Sequence, residues 1–302
     1  MKHPFQRRLE QGTVALAAQI VRSLSWLPLG WLRRLADFGA WVTIAVTPRR
    51  QRLADANVAA VFPQMSPRER RGIVRRSVRS AWRTMVELFA LPRLSKEDLD
   101  RLIVTPDASR VREAAESGSG VLLITGHFGN WEWLGAQVAH HVAPVTVVAR
   151  DHRHGGLAAM INEARRSHGV RVLEREGIRE MLRVLNSGGV LAMLPDQHAS
   201  RGGVLVDFLG RPAWTLTGPA VLAARTGARV FVGFCIRDPA GPLRVVALPE
   251  LQLVRTDDPG ADVVTNTQLI NDAIGQGIRE YPDNWLWLHN RWKERRTPVG
   301  DA

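Results

Sequence analysis

The sequence predicts an α/β fold with a mostly parallel sheet and helices on both faces. From Gly120 onward, short apolar runs typical of buried strands alternate with segments of helical periodicity. Such alternation is typical of parallel strands joined by crossover helices. The chain has 302 residues and is 45% hydrophobic, which suffices to bury a large core within one α/β domain.

The first 50 residues predict N-terminal helices that lie against a membrane. Residues 12–32 carry one charge, Arg22, and include two tryptophans, and an apolar run follows at 38–46. Arg22 and Pro28 interrupt the roughly 20 apolar residues that a spanning helix needs, so interfacial helices fit better. The alternatives are a signal peptide and an amphipathic core helix. We therefore expect a membrane-anchoring segment at 1–50 and an α/β domain at 51–302.

The following elements have recognisable boundaries. Ser66, Pro67 and Glu69 form a capping box with proline at the first helical position. The helix that they open is rich in arginine, which fits either a solvated face or a surface for anionic headgroups. We predict strands at 121–124, 145–149, 170–173, 190–194, 229–236 and 243–248. Further helices are predicted at 157–167, 178–185, 218–226 and 263–280.

The composition narrows the classes of partner. The formal net charge of +12 favours an anionic partner, such as an acidic lipid, an acidic protein or nucleic acid. The sequence has no zinc-finger spacing, no basic region with heptads and no RNA-stacking signature, so we expect no nucleic acid. The single cysteine, Cys235, falls in an apolar run and is expected to be a small buried side chain rather than a nucleophile.

The segment from His127 to Glu132 carries the clearest chemistry. His127 follows the predicted strand 121–124, and Asn130 is a plausible N-cap for the next helix, with Glu132 in its first turn. Ligand and catalytic groups of open α/β sheets gather at the carboxyl ends of the strands. We expect His127 to act as a general base and Glu132 to orient its imidazole. Backbone N–H groups around Gly129 and Asn130 are expected to bind an oxyanion or a phosphate.

Four stretches in order resemble the bacterial lipid A biosynthesis acyltransferases, the lauroyl and myristoyl transferase family. They lie at residues 54–63, 127–132, 194–197 with 206–215, and 281–291. The resemblance extends from about residue 12 to residue 293. The central stretch also resembles the His-(x)4-acid motif of glycerolipid acyltransferases.

This resemblance implies an enzyme that moves a fatty acyl group from acyl carrier protein, or coenzyme A, to a hydroxyl of a lipid A precursor in lipopolysaccharide biosynthesis. The expected partners are that thioester, a phosphorylated glycolipid and the cytoplasmic face of the inner membrane. The thioester is a co-substrate, so no cofactor is expected. The alternatives are acylation of another glycolipid, such as a phosphatidylinositol mannoside, and a non-catalytic lipid-binding protein on the same scaffold.

Several further residues are candidates for substrate binding beside Asn130. Arg150 ends a predicted strand, so it should project at the same sheet edge. The resemblance implies roles for Arg165, Asp196 and Gln197, although His198 stands where the family has an acidic residue. Asp196 would position an arginine or a substrate hydroxyl, or else cap a loop.

A metal site is not expected. His152 and His154 lie two residues apart, with His140 and His141 nearby, but no third ligand at fixed spacing accompanies them. Acyl transfer by a general base needs no metal. His289 and Arg291 match the family pattern, and we expect them only to support the site.

Overall fold

The computed structural model describes residues 19, 23, 26–106, 108–149, 156–174, 177–238 and 241–294. Arg150, His152 and His154 lie outside these ranges, as does most of the predicted membrane segment before residue 26.

Four helices precede the main part of the sheet. They are α1 (Leu29–Val46), α2 (Pro48–Val61), α3 (Pro67–Leu88) and α4 (Lys96–Leu102). The predicted capping box begins α3: the Ser66 hydroxyl accepts from the Glu69 amide, and the Glu69 carboxylate accepts from the Ser66 amide. These reciprocal bonds satisfy two N–H groups that a helix start would otherwise leave unpaired.

A seven-stranded sheet forms the centre of the molecule. Its strands are β1 (Ile103–Val104), β2 (Val121–Ile124), β3 (Val145–Ala149), β4 (Val170–Glu174), β5 (Val190–Met193), β8 (Arg229–Arg237) and β9 (Leu243–Ala247). The spatial order is β1-β9-β8-β2-β5-β3-β4. Only the β8–β9 pairing is antiparallel, so β1 and β9 run opposite to the other five strands.

Helices cover both faces of this sheet. Along β2, Leu122 and Ile124 join one apolar cluster, while Val121 and Leu123 join another on the opposite face. This alternation follows from the two-residue period of a strand. The crossover and C-terminal helices are α5 (Ser109–Glu116), α6 (Trp131–His141), α7 (Gly156–Arg166), α8 (Ile178–Asn186), α9 (Gly218–Thr226) and α10 (Pro259–Glu280). The predicted mostly parallel sheet with helices is confirmed, and its boundaries differ from the predictions by a few residues.

A separate hairpin was not predicted. Strands β6 (Val204–Phe208) and β7 (Arg211–Thr215) pair antiparallel across a two-residue turn at Leu209 and Gly210. Both turn residues have positive φ, 60° and 89°. That backbone matches the twist of a tight hairpin, and glycine adopts it without strain.

Helix α1 is apolar on two sides. Leu32, Ala36 and Ala40, spaced four residues apart, are buried on the side that packs against α3. Trp31, Phe38 and Trp41 are exposed. No helix within the described ranges is both long enough and apolar enough to cross a bilayer.

Candidate active site

The strand register brings His127 and Asp196 together. Strands β2 and β5 are parallel neighbours, and Ile124 pairs with Met193. His127 and Asp196 each follow their paired residue by three positions, so both lie at the same carboxyl edge of the sheet. A side chain at Gly126 would meet the Asp196 carboxylate, because a Cβ there would lie 3.1 Å from Oδ2.

Asp196 holds His127 through two contacts. Its Oδ1 lies 2.9 Å from the imidazole Nδ1, and its Oδ2 accepts from the His127 backbone amide at 2.8 Å. A carboxylate on Nδ1 selects the tautomer with a proton on that nitrogen, which leaves Nε2 unprotonated. Asp196 is fully buried, whereas 26% of the His127 side chain is exposed. The imidazole is therefore both oriented and accessible.

The electrostatics of the pair favour a stronger base. Burial alone would lower the pKa of His127, but the charge and hydrogen bond of Asp196 outweigh it and raise that pKa, and Glu132 adds to the effect. Burial alone would raise the pKa of Asp196, but His127 and the Trp285 indole lower it. Each partner thus favours the charged form of the other.

Our prediction that Glu132 orients the imidazole is therefore corrected. Glu132 instead accepts two hydrogen bonds from Arg165, from Nε and Nη2 at 2.8 Å each, and one from the Trp131 indole at 3.1 Å. It stands on the first turn of α6, whose buried face directs it away from Nδ1 and toward α7. Glu132 contributes negative charge near His127 without being its hydrogen-bond partner.

The Arg165 guanidinium is fixed at the site by this paired contact. Burial alone would lower the pKa of Arg165, but the hydrogen bonds and charge of Glu132 raise it, so the guanidinium stays cationic. A two-point contact with a carboxylate restricts a guanidinium far more than a single bond does. The site thus contains a permanent cation beside a neutral base.

The turn between β2 and α6 is held by its backbone. The Gly129 amide donates to the Asn284 carbonyl at 2.9 Å, and the Asn130 amide donates to the Cys235 carbonyl at 2.7 Å. Both amides are already bonded, so the prediction that they bind an oxyanion or phosphate is wrong. Gly129 has φ 56°, and a Cβ there would lie 1.9 Å from the Cys235 oxygen. Only glycine fits at this approach.

Asn130 has a supporting role rather than the predicted contact with substrate. Its Oδ1 accepts from the Trp133 amide at 3.0 Å, which confirms the N-cap of α6. Its Nδ2 donates to Glu87 of α3 at 2.9 Å. Asn130 and Glu87 are both fully buried, so the turn is anchored to the helical layer beneath it.

The C-terminal segment completes the support of His127. The Trp285 indole donates to Asp196 Oδ2 at 2.9 Å, and the Leu286 amide donates to the His127 carbonyl at 3.1 Å. Trp285 and Trp287 are fully buried, with ring centroids 4.7 Å apart. Sequence reasoning missed this role of Trp285, because the only signal for it was the family-like wording of the segment.

His289 and Arg291 hold neighbouring loops, as expected of supporting residues. His289 Nε2 accepts from the His198 amide at 2.9 Å, and burial lowers the pKa of His289 to about 4. Arg291 is fully buried and donates to the Trp214 carbonyl at 2.6 Å, which ties the chain end to β7. Burial lowers the pKa of Arg291 to about 10, so it remains charged near neutral pH.

Two cavities open at the site. They have volumes of about 400 and 770 Å³, and both are lined by His127, Trp131, Glu132 and Arg165. Gln197 lines the smaller one. Of the predicted site residues, His127, Glu132, Arg165, Asp196 and Gln197 are thus brought together.

A third, almost wholly apolar cavity adjoins the smaller one. It has a volume of about 110 Å³ and lies among β2, α6, β8 and β9. Trp131, Gly135, Val147 and Leu194 line both cavities. A hydrocarbon tail can therefore be placed beside a base and a cation.

Comparison with known proteins decides the family. The model of the bacterial lipid A biosynthesis acyltransferase family matches residues 2–294. The chain belongs to this family. It is accordingly an acyltransferase.

Two groups of relatives are similar to this acyltransferase. The phosphatidylinositol mannoside acyltransferase of Mycolicibacterium smegmatis is 30% identical over 239 residues, 76% of each chain. The lipid A biosynthesis palmitoleoyltransferase of Escherichia coli K12 is 25% identical over 294 residues, covering 92% of this chain and 93% of the relative. The lipid A biosynthesis lauroyltransferase of the same organism is 26% identical over 290 residues, 91% and 93% of the two chains.

Cys235 takes no part in this chemistry. It is buried, and burial raises the pKa of its thiol to about 12. A thiol with so high a pKa forms almost no thiolate near neutral pH. Cys235 contributes its backbone carbonyl to the turn and its side chain to the core, as predicted.

Proposed function

We propose that the protein transfers a fatty acyl group from a thioester to a hydroxyl of a membrane glycolipid, with His127 as the general base. The observation that carries this proposal is the His127–Asp196 contact at the mouth of two adjoining cavities. One of the neighbouring spaces is apolar and the other contains the Arg165 cation. A base beside a place for a tail and a place for an anion suits this reaction.

In the proposed mechanism, Nε2 of His127 removes the proton of the acceptor hydroxyl as its oxygen attacks the thioester carbonyl. Asp196 stabilises the imidazolium that forms. The tetrahedral intermediate then collapses, the carbon–sulfur bond breaks, and the imidazolium returns its proton to the departing thiolate. Since the amides of Gly129 and Asn130 are bonded elsewhere, we assign the oxyanion to side chains that line the cavity, Gln197 and Arg165.

Arg165 also suits the phosphate of an acceptor or of a phosphopantetheine arm. A guanidinium matches phosphate geometry and keeps its charge at all relevant pH values. Glu132 fixes Arg165 in place, so Glu132 is a positioning residue in this proposal. A fixed cation loses little side-chain entropy when an anion binds.

The outer face of α1 supports work at a membrane surface. Trp31, Phe38 and Trp41 are 57%, 61% and 64% exposed, and the rings of Phe38 and Trp41 stack at 5.8 Å. Trp82 and Met85 of α3 are also exposed. Exposed aromatic side chains on a helix favour the interface between headgroups and acyl chains. We place the protein on the cytoplasmic face of the inner membrane, where acyl thioesters are made.

Two acceptors are considered. A lipid A precursor is favoured because the family model and the Escherichia coli lipid A enzymes match nearly the whole chain. A phosphatidylinositol mannoside is the second candidate because the mycobacterial relative has the higher identity, 30%. A purely lipid-binding protein would have no use for an oriented base, so we do not favour it.

Mass measurement of the lipid product tests the proposal. The purified protein is incubated with acyl carrier protein or coenzyme A thioesters and with each acceptor. We expect one acceptor to gain the mass of an acyl group, and His127→Ala to abolish that gain while keeping the native unfolding transition. Full transfer by His127→Ala would contradict the proposed base. Hydrolysis of the thioester without transfer to either lipid would contradict the proposed acceptors.

A further inference from the structure

Four arginines surround a small cavity away from His127. Arg33 of α1, Arg83 of α3, Arg101 of α4 and Arg237 at the end of β8 line a space of about 140 Å³, here called the arginine pocket. A water molecule in the liquid occupies about 30 Å³, so the pocket has room for a larger polar group. Among the described residues, none that lines this pocket also lines the two cavities at His127.

Two of the guanidinium groups are held by one carboxylate. Glu87, which is fully buried, accepts from Arg33 Nε at 2.6 Å and from Arg237 Nη2. One carboxylate shared by two arginines leaves an excess of positive charge. An ion pair engages at most two of the five N–H donors of a guanidinium, so a held arginine can still donate to a ligand.

The other wall repeats this arrangement. Arg83 donates from Nε and Nη2 to the two oxygens of Asp37, at 2.7 Å each, while Arg79 shares the same carboxylate at 3.4 Å. Arg101 is 74% exposed at the rim, where it contacts Asp98. Asp238 is the acidic residue among those that line the pocket. The balance of charge around the pocket is positive, and most of its cations are fixed before any ligand binds.

The pocket borders the exposed apolar surface. Arg33 lies on the same helix as Trp31 and Phe38, and Arg83 lies on the same helix as Trp82 and Met85. Helices α1 and α3 pack against each other along this side. The headgroup region of a bilayer is where phosphates lie beside hydrocarbon chains, so one ligand class can satisfy both features.

We propose that the arginine pocket binds the phosphate of an anionic membrane lipid. This site is additional to the acyl-transfer site, and its occupant is not a reactant. The lipid phosphate contacts the arginines while its acyl chains lie against the aromatic face of α1. Binding would fix how the protein sits on the membrane.

Calorimetric titration of the full-length protein with dihexanoyl phosphatidic acid, below the concentration at which that lipid forms micelles, tests the proposal. We expect saturable binding, weakened about fivefold or more by Arg101→Gln, since one basic residue near a phosphate contributes about that factor. Arg225→Gln is the matched control. It removes an exposed arginine that precedes β8, about 30 Å along that strand from Arg237.

The remaining arms separate the alternatives. Dihexanoyl phosphatidylcholine, which carries no net charge, should bind at least fivefold more weakly, and equal affinity would overturn the role of the arginines. Inorganic phosphate that bound as tightly as the lipid would overturn the assignment of a lipid. Equal weakening by Arg225→Gln would reduce the effect to net charge and also overturn the proposal. His127→Ala should bind normally, so failure of this site and failure of acyl transfer are distinguishable.

Discussion

Replacing Trp285 with phenylalanine removes one hydrogen-bond donor from the carboxylate that holds His127. The Trp285 indole lies 2.9 Å from Asp196 Oδ2, and both side chains are buried. A hydrogen bond to a charged group contributes about 1.5–3 kcal/mol, and a neutral one about 0.5–1.5 kcal/mol. The free energy of unfolding should therefore fall by the cost of the smaller ring plus about 1.5–3 kcal/mol.

Trp287 provides the matched control. It is equally buried, and its indole donates to the Pro282 carbonyl, a neutral acceptor, at 2.7 Å. Trp287→Phe loses the same ring volume and one hydrogen bond, so the two variants differ in the charge of the acceptor. We expect Trp285→Phe to be less stable than Trp287→Phe by about 1–2 kcal/mol.

Urea unfolding at pH 7 measures this difference as a shift in midpoint at constant slope. Steady-state kinetics adds a second readout, because a carboxylate that has lost a donor no longer holds the imidazole as firmly. We expect kcat to fall about tenfold in Trp285→Phe, equivalent to about 1.4 kcal/mol, with KM unchanged, and to stay within twofold in Trp287→Phe. Equal losses of stability and of kcat in the two variants would refute the role assigned to Trp285.

Three other outcomes follow from the site. Gly129→Ala should unfold the protein or cost more than about 3 kcal/mol, because its Cβ would overlap the Cys235 carbonyl, whereas Gly30→Ala, with open space around it, should be neutral or stabilising in the same melting experiment. Glu132→Gln should release Arg165 and raise KM for a phosphorylated acceptor about tenfold or more, with a smaller change in kcat. The pH profile of kcat/KM should fall toward acid below the raised pKa of His127, because a protonated imidazole accepts no proton.

Much of the fold could be predicted from the sequence because its signals are local. The apolar runs of β2 and β5 are bounded by glycine, and the N-cap at Asn130 precedes a helical period. The hairpin β6–β7 was missed because Leu209 is an unusual residue at positive φ, although Gly210 beside it was a usable signal. The reversal of β9 relative to β8 likewise depends on sheet order, which no local pattern encodes.

The site was predicted less completely because its central contact is not local. Glu132 is five residues from His127, whereas Asp196 is 69 residues away, and only the adjacency of β2 and β5 makes Asp196 the partner. The sequence placed both His127 and Asp196 after strands, but it did not indicate that those strands are neighbours. For the same reason it gave no indication that Trp285 reaches Asp196.

The pKa of His127, followed by NMR in the native protein, in Asp196→Asn and in Glu132→Gln, tests the central claim most directly when kcat is measured alongside. An asparagine amide can donate to Nδ1, which would place the imidazole proton on Nε2 and leave no base there. We predict that Asp196→Asn lowers the pKa of His127 and reduces kcat about 10²- to 10⁴-fold, while Glu132→Gln changes both much less. A normal pKa and kcat in Asp196→Asn, with both lost in Glu132→Gln, would contradict the account.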